Sequence, residues 1–158
     1  MVDTNERKKI LLVDDVDMHL ITAEMFLQAE YEIYKAESGQ EALDLLSDNK
    51  LVPDLIMLDI VMPKMDGWEV FKRIKKIDSL NKVPIVFLTS IEDKAEMKKA
   101  YEMGIADYIT KPYNFTDLLN RVKNVIKKHE KTDALLKGTR NQNRKHTSRG
   151  FYGRSTRR

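Results

Sequence analysis

Polar side chains directly follow four short apolar runs of the chain, and their chemical types suit a cation and a phosphoryl group. They are Asp14 and Asp15 after Ile10–Val13, Asp59 after Leu55–Leu58, Thr89 after Ile85–Leu88, and Lys111 after Tyr108–Thr110. Short apolar runs separated by helix-length segments predict buried parallel strands, and ligands bind beyond the carboxyl ends of such strands. We therefore expect these polar residues to converge on one edge of a sheet. Three carboxylates, a hydroxyl and an ammonium could hold a divalent cation and a phosphoryl group, with one carboxylate as nucleophile.

Each of these residues also has an ordinary structural explanation. The Asp14-Asp15 pair could start a turn or cap a helix, and Thr89 with Glu92 fits a capping box. Considered by itself, Lys111 could be a solvent-exposed lysine of a turn. Capping does not explain, however, why carboxylates follow the first and third strands while a threonine and a lysine follow the fourth and fifth. Clustered carboxylates raise one another's pKa values unless a cation lies among them, and Mg²⁺ prefers hard oxygen ligands.

The spacing of apolar residues predicts the elements that must position this cluster. Helices are predicted at about residues 16–29, 68–77 and 92–103 and from Phe115 onward. Another helix is predicted to begin at Gly39 and to end before residues 49–53. Residues 31–36 and 106–109 are predicted as the second and fifth strands, and Gly104 ends the fourth helix. Five strand and helix pairs with short links predict an α/β fold, a doubly wound parallel sheet with helices on both faces.

Length and composition narrow the class of protein. A chain of 158 residues supports one domain with a substantial core, and the lack of cysteine excludes disulfide frameworks, thiolate zinc sites and thiol catalysis. His19, His129 and His146 are isolated in the sequence, so we expect no metal-binding or nucleophilic role for them. The segment Met1–Lys9 is polar, and no apolar stretch is long enough to span a bilayer. A cytoplasmic protein without a membrane contact is therefore expected.

Charge divides the chain into a mildly acidic part and a basic tail. Residues 138–158 carry seven basic side chains and no acidic one, whereas residues 1–137 carry 21 basic and 25 acidic side chains. The tail has no apolar period, so it is predicted to be disordered, whether it is native or was added to the natural chain. Its charge indicates nucleic-acid binding only weakly, because no fold or aromatic platform accompanies it. The domain is predicted at residues 1–137, with its core at about 8–128 and a last helix that can extend past Ile126 to Leu135 and Leu136.

Taken in order, these motifs resemble the receiver domain of two-component response regulators, and in particular the single-domain chemotaxis regulators. The resemblance covers roughly Lys8–Lys128. It rests on Asp14-Asp15, on the segment from Asp59 to Gly67, on Thr89-Ser90, on the segment from Gly104 to Tyr108, and on Lys111-Pro112. It implies a flavodoxin-like sheet of five parallel strands in the order 2-1-3-4-5 with five helices. In this family the Lys111-Pro112 peptide bond is expected to be cis.

The resemblance further implies a metal site and a phosphoacceptor. Asp59 would accept a phosphoryl group from the phosphohistidine of a sensor histidine kinase, from a phosphotransfer protein or from a small acyl phosphate. Asp15, Asp59 and the Val61 backbone carbonyl would bind Mg²⁺ directly, and Asp14 would act through a bound water. The chain would not be an enzyme, but a phosphoacceptor that assists its own phosphorylation and dephosphorylation.

Phosphorylation of Asp59 would be read on the surface of the fourth helix, the fifth strand and the fifth helix. Thr89 would turn toward the phosphoryl group, Lys111 would pair with it, and Tyr108 would move inward as the coupled switch. This surface is expected to bind a downstream output protein, to contact an output domain or to form a homodimer. It presents Met97, Tyr101, Asp107 and Arg121.

Two apolar residues depart from the family pattern. Val61 and Ile91 stand two residues after the phosphoacceptor and the switch threonine, where relatives often carry polar side chains that influence the lifetime of the phosphoryl group. The alternative function is a haloacid dehalogenase-type phosphatase with Asp59 as nucleophile, but that chemistry needs a second acid where Val61 stands. A flavin carrier would need a loop rich in Ser, Thr and Gly after the first strand, and the P-loop signature of nucleotidases is absent.

Overall fold

The predicted alternation of strands and helices is confirmed by a computed structural model, which describes the backbone of residues 6–152 and the side chains of residues 6–138. The strands are β1 (Lys9–Val13), β2 (Glu32–Ala36), β3 (Leu55–Leu58), β4 (Ile85–Thr89) and β5 (Asp107–Thr110). The helices are α1 (Asp17–Leu27), α2 (Gly39–Leu46), α3 (Gly67–Lys75), α4 (Lys94–Glu102) and α5 (Phe115–Tyr152), and a short 3₁₀ turn, Ser47–Asn49, follows α2.

All neighbouring strands of the sheet are parallel, in the order β2-β1-β3-β4-β5, as the flavodoxin-like fold requires. The register places Val13 at the end of β1 beside Leu58 at the end of β3. The next residue of each strand is an aspartate, and the backbone N–H of Asp59 donates to the Val13 carbonyl at 2.9 Å. The pairing of β1 with β3 therefore brings Asp14 and Asp59 side by side.

Burial of the central strands explains their unbroken apolar sequences. Every residue of β3 and β4 is buried, which is typical of parallel strands covered by helices on both faces. The edge strand β2 contains exposed and half-buried residues and only one buried residue, Ala36. One large cluster packs the sheet against α2 and α3. It includes Leu11, Ile56, Leu58, Phe87, Ala42, Leu46, Val70, Phe71 and Ile74.

Side-chain caps fix where three of the helices begin. Ser38 accepts a hydrogen bond from the backbone N–H of Glu41 at α2, and Asp66 does the same for Glu69 at α3. At α4 the cap is Asp93, which accepts from the second and third backbone N–H groups after it. The capping-box explanation of Thr89 is therefore wrong, because α4 begins four residues later than that explanation requires.

Helix α5 extends beyond the predicted limit of the domain. Its backbone is helical to Tyr152, so residues 138–152 differ from the predicted disorder, and residues 153–158 of the predicted tail lie outside the described residues. The segment continues a helix that is already formed from Phe115 onward, and extending a helix avoids the cost of nucleating one. The chain divides into two compact units, one ending at Val125 and the other beginning at Ile126. The domain limit at residue 137 stays a prediction. Across the described part of the chain, every helix is too short or too polar to cross a membrane.

A close backbone approach constrains the loop that follows Asp59. Gly67 begins α3, and its N–H donates to the Ile60 carbonyl at 2.8 Å. A Cβ atom at Gly67 would lie 2.3 Å from the Asp59 carbonyl oxygen and 2.8 Å from the Ile60 Cα. Both neighbours are backbone atoms, so relief would require the loop itself to shift. Glycine at this position thus holds the loop against the start of α3.

We predict that Gly67→Ala lowers the free energy of unfolding by about 2–3 kcal/mol, because the added methyl group overlaps backbone atoms that cannot rotate away. Urea unfolding followed by circular dichroism measures this loss. Gly138→Ala is the matched control, since nothing outside its own helix turn lies within 4 Å of the added Cβ and alanine favours a helix. Equal stability of the two variants would show that the loop yields without cost.

Candidate functional site

Three carboxylates meet at the carboxyl ends of β1 and β3. Asp14, Asp15 and Asp59 each offer one oxygen such that all three oxygens lie within 4.8 Å of one another. Asp14 and Asp59 are only 5% and 7% exposed, whereas Asp15 is exposed. The sequence predicts this convergence, and the parallel register of the sheet produces it.

An ammonium group reaches the cluster from the end of β5. The Lys111 Nζ atom pairs with Asp14 Oδ2 and lies 3.6 Å from Asp59 Oδ2. Only 11% of the Lys111 side chain is exposed, so this charge is partly removed from water together with the carboxylates. The Lys111-Pro112 peptide bond is cis, as the family resemblance implies.

Thr89 and Tyr108 are linked through the loop that follows β4. Thr89 is fully buried, its hydroxyl hydrogen-bonds to the Asp59 carboxylate, and its oxygen accepts from the backbone N–H of Ile91 at 3.4 Å. Tyr108 is 2% exposed, and its hydroxyl donates to the Ile91 carbonyl at 2.9 Å. One loop residue therefore connects the threonine at Asp59 with the tyrosine of β5.

The environment of Asp59 disfavours its negative charge. Burial raises the pKa of Asp59 above its ordinary value, and the charge of Asp14 raises it further, whereas Lys111 and hydrogen bonds from the Thr89 hydroxyl and the Val61 backbone N–H act in the opposite direction. Burial is the largest of these causes. A cation among the carboxylates would offset both unfavourable effects.

The donor set fits Mg²⁺. Three carboxylate oxygens gathered at one point are hard ligands, and two of the three carboxylates are nearly buried in a site that disfavours uncompensated negative charge. Asp14, Asp15 and Asp59 could hold the ion. Val61 lies at the site through its N–H group, which donates to Asp59, and the metal contact of its carbonyl stays a prediction.

His19 is a site residue that the sequence reasoning missed. Its Nδ1 atom lies 3.2 Å from Asp14 Oδ2 and 2.9 Å from Lys111 Nζ. The histidine is isolated in the sequence, but it belongs to the first turn of α1, and that helix begins beside Asp14. Its position five residues after Asp14, in a helix starting at the sheet edge, is the signal that could have identified it.

The predicted output surface carries a polar network in the structure. The Tyr101 hydroxyl donates to Asp107 Oδ1 at 2.9 Å and accepts from the backbone N–H of Tyr108 at 3.1 Å. Arg121 of α5 pairs with Asp107 at 3.2 Å, and Met97 of α4 packs against the core cluster. The network connects α4, β5 and α5 to the backbone of Tyr108.

Comparisons with known proteins agree with this geometry. A family model described as the response regulator receiver domain matches residues 10–123. The transcriptional regulatory protein CrdR of Helicobacter pylori is 36% identical over 118 residues, which make up 74% of this chain and 54% of the relative. A Vibrio cholerae protein named as a probable cyclic di-GMP phosphodiesterase is 35% identical over 127 residues, which make up 80% of this chain and 28% of that protein. The chain thus spans about half the length of the first relative and less of the second.

Solved structures are similar over nearly their whole length. The chemotaxis protein CheY4 of Vibrio cholerae has a TM-score of 0.69 and 30% identity, and the match covers 75% of this chain and 98% of that protein. A response regulator receiver domain protein of Clostridium thermocellum has a TM-score of 0.70 and 28% identity. The match covers 78% of this chain and 97% of that protein. Both comparisons confirm the fold and the resemblance seen in the motifs.

We predict that Asp59→Asn raises the thermal midpoint at neutral pH when Mg²⁺ is removed with EDTA, because the amide avoids the cost of a buried charge. The pKa of Asp59 in the folded state lies above its ordinary value of 3.8. The natural protein therefore loses stability as the pH rises from that value through the folded-state pKa, and above it the penalty is complete.

Thermal unfolding measured at a series of pH values tests this expectation. The advantage of Asp59→Asn should be full above the folded-state pKa and absent below the ordinary value of 3.8. Asp78→Asn, at an exposed position after α3, is the control and should follow the natural protein. A constant advantage at every pH would rule out charge burial as its cause.

Proposed function

The chain belongs to the family of response regulator receiver domains, and we propose that it acts in two-component signalling by accepting a phosphoryl group on Asp59 in an Mg²⁺-dependent reaction. The observation that carries the proposal is the meeting of three carboxylate oxygens within 4.8 Å of one another, beside an ammonium and a buried hydroxyl. This set supplies a nucleophile, a cation site and donors for phosphoryl oxygens.

The surroundings of the three carboxylates favour Asp59 as the nucleophile. Asp14 accepts from the Val16 N–H at 2.9 Å through one oxygen and pairs with Lys111 through the other. Asp15 is exposed. Asp59 lies between these groups and the Thr89 hydroxyl, and Lys111 is 3.6 Å away. A phosphoryl group on Asp59 would therefore have a hydroxyl and an ammonium as neighbours.

In the proposed reaction an Asp59 oxygen forms a bond to phosphorus while the bond from phosphorus to the donor breaks. The donor is the phosphohistidine of a sensor kinase or phosphotransfer protein, or a small acyl phosphate, and it leaves with the electron pair of the broken bond. The Lys111 ammonium and the Thr89 hydroxyl donate to the transferred phosphoryl oxygens. When bound, Mg²⁺ supplies positive charge that stabilises the charge on those oxygens.

This proposal makes the chain a phosphoacceptor that assists its own phosphorylation and dephosphorylation in the cytoplasm. The longer relatives carry further sequence, so an output domain or a separate output protein is part of the proposal. The names of those two relatives indicate different outputs, transcription in one and cyclic di-GMP hydrolysis in the other. The family relationship therefore supports the phosphoacceptor more directly than any particular output.

We predict that acetyl phosphate with Mg²⁺ adds one phosphoryl mass to the protein, because the Asp59 carboxylate is the nucleophile. Intact-mass spectrometry should show the addition in the natural chain and in Asp78→Asn, and no addition in Asp59→Asn. Removal of Mg²⁺ with EDTA should also abolish it.

Two outcomes of this experiment would contradict the proposal. Unchanged labelling of Asp59→Asn would place the phosphoryl group on another residue. Steady turnover of p-nitrophenyl phosphate by the natural chain would favour the alternative phosphatase, although Val61, 59% exposed, stands where that chemistry requires an acid.

We further propose that phosphorylation is transmitted through Ile91 to the surface of α4, β5 and α5. A phosphoryl group bonded to an Asp59 oxygen would change the present contact between the Thr89 hydroxyl and the Asp59 carboxylate. Because Thr89 and Tyr108 both hydrogen-bond to the Ile91 backbone, a shift of this loop alters the support of the tyrosine ring. Tyr108 packs edge-on against Phe87 at 6.1 Å between ring centroids, so its displacement repacks the core below α4.

We predict that beryllofluoride with Mg²⁺, a mimic of the phosphoryl group, shifts amide NMR signals at residues 89–111 and along the facing side of α5. In Thr89→Ala the shifts near Asp59 should persist, whereas those at β5 and α5 should shrink, because the hydroxyl that connects them is missing. Thr132→Ala is the matched control, since its hydroxyl only donates to the Lys128 carbonyl within α5. Shifts confined to the three carboxylates, or shifts unaffected by Thr89→Ala, would contradict this coupling.

A further inference from the structure

The Lys111 ammonium has three N–H donors, and three acceptors surround it. Asp14 Oδ2 forms the shortest contact, His19 Nδ1 lies at 2.9 Å and Asp59 Oδ2 at 3.6 Å. An ammonium donates and never accepts. Asp14 Oδ2 and the imidazole nitrogen must therefore face Lys111 with a lone pair, whereas Asp59 Oδ2 lies beyond hydrogen-bond distance and forms only an ion pair.

The contact with Lys111 determines the tautomer of His19. A neutral imidazole has one N–H and one acceptor nitrogen, so Nδ1 as acceptor leaves the proton on Nε2. The neighbouring Asp14 Oδ2, at 3.2 Å from Nδ1, is then not a hydrogen-bond partner of the ring. Both atoms are acceptors around the same ammonium, which explains why they lie near each other although neither donates.

We propose that His19 is a positioning residue, whose Nδ1 atom accepts from Lys111 and holds the ammonium where one of its donors points toward Asp59. His19 does not touch the phosphoryl group and acts only through Lys111. Asp14 alone would leave the ammonium free to rotate about one ion pair, whereas a second acceptor fixes its direction. The expected effect on phosphorylation rests on the function proposed above, but the tautomer of His19 does not.

The first test measures the tautomer without any phosphodonor or metal. Two-bond ¹H–¹⁵N spectra of the imidazole, recorded at a pH where they show a neutral ring, should give an unprotonated Nδ1 and a protonated Nε2 for His19. In Lys111→Met the donor is missing, so Nδ1 should become protonated and donate to Asp14. The His129→Ala variant, which changes a histidine of α5, serves to assign the signals. A protonated Nδ1 in the natural protein would overturn the proposal.

The second test compares three substitutions of His19. His19→Ala should slow phosphorylation by acetyl phosphate at saturating Mg²⁺ by about fivefold to tenfold, which corresponds to the net contribution of roughly one ordinary hydrogen bond. His19→Asn should restore most of the rate, because its amide oxygen can occupy the position of Nδ1. His19→Gln places its amide near the position of Nε2 instead and should not restore it.

The affinity for Mg²⁺ separates positioning from a general loosening of the site. Asp14 keeps its hydrogen bond from the Val16 N–H and its pair with Lys111 in His19→Ala. The Mg²⁺ dissociation constant, obtained from amide NMR titration without phosphodonor, should therefore change by less than about twofold.

The outcomes distinguish this inference from the function on which it partly rests. A faster reaction in His19→Ala, a parallel loss of Mg²⁺ affinity, or equal rates in the Asn and Gln variants would each overturn the positioning role. If the natural chain takes no phosphoryl group at all, the proposed function fails, and the tautomer measurement alone then decides whether His19 holds Lys111.

Discussion

Confinement of negative charge at one edge of a buried parallel sheet is the constraint on which the rest of this structure depends. The backbone pairing of β1 with β3 forces Asp14 and Asp59 together, at a place where burial disfavours the charge of Asp59. Removing a charged group from water is costly unless it is paired, so the site requires positive charge. Lys111 provides part of it from the end of β5, and a cation held by the carboxylates would provide more.

In the proposed mechanism, the packing of the β4–α4 loop connects the charge at Asp59 to the surface of α4, β5 and α5. Thr89 and Tyr108 share Ile91 as a hydrogen-bond partner, and Tyr108 packs against Phe87 in the buried core. Close-packed interiors move between discrete arrangements, so under the proposed function a small change at Asp59 would favour one arrangement over the other. The hydrogen bonds of Tyr101 with Asp107 and with the Tyr108 backbone would extend the change to the exposed face of α4, β5 and α5.

The sequence predicts most of the fold and the candidate site because parallel strands end at one edge, whatever the details of their side chains. Carboxylates after β1 and β3 and the lysine after β5 could be identified in this way. His19 could not, because its contact depends on how α1 turns out of the β1 loop, which apolar spacing does not specify. The fourth helix is predicted at about residues 92–103, close to the observed α4, but Asp93 and Thr89 can both cap a helix and only tertiary packing selects Asp93.

Among the groups around Asp59, the Lys111 ammonium is the one that phosphorylation of Asp59 would displace most easily. Asp14 is held by the Val16 N–H, and Thr89 lies in a strand, so the backbone restrains both. Lys111 reaches the site on a flexible side chain and now lies closer to Asp14 than to Asp59. A phosphoryl group would add acceptors beside Asp59, whereas a cation among the carboxylates would compete with the ammonium for Asp14. Both events favour movement of Lys111 toward Asp59, so cation binding and phosphorylation would support each other through a single side chain.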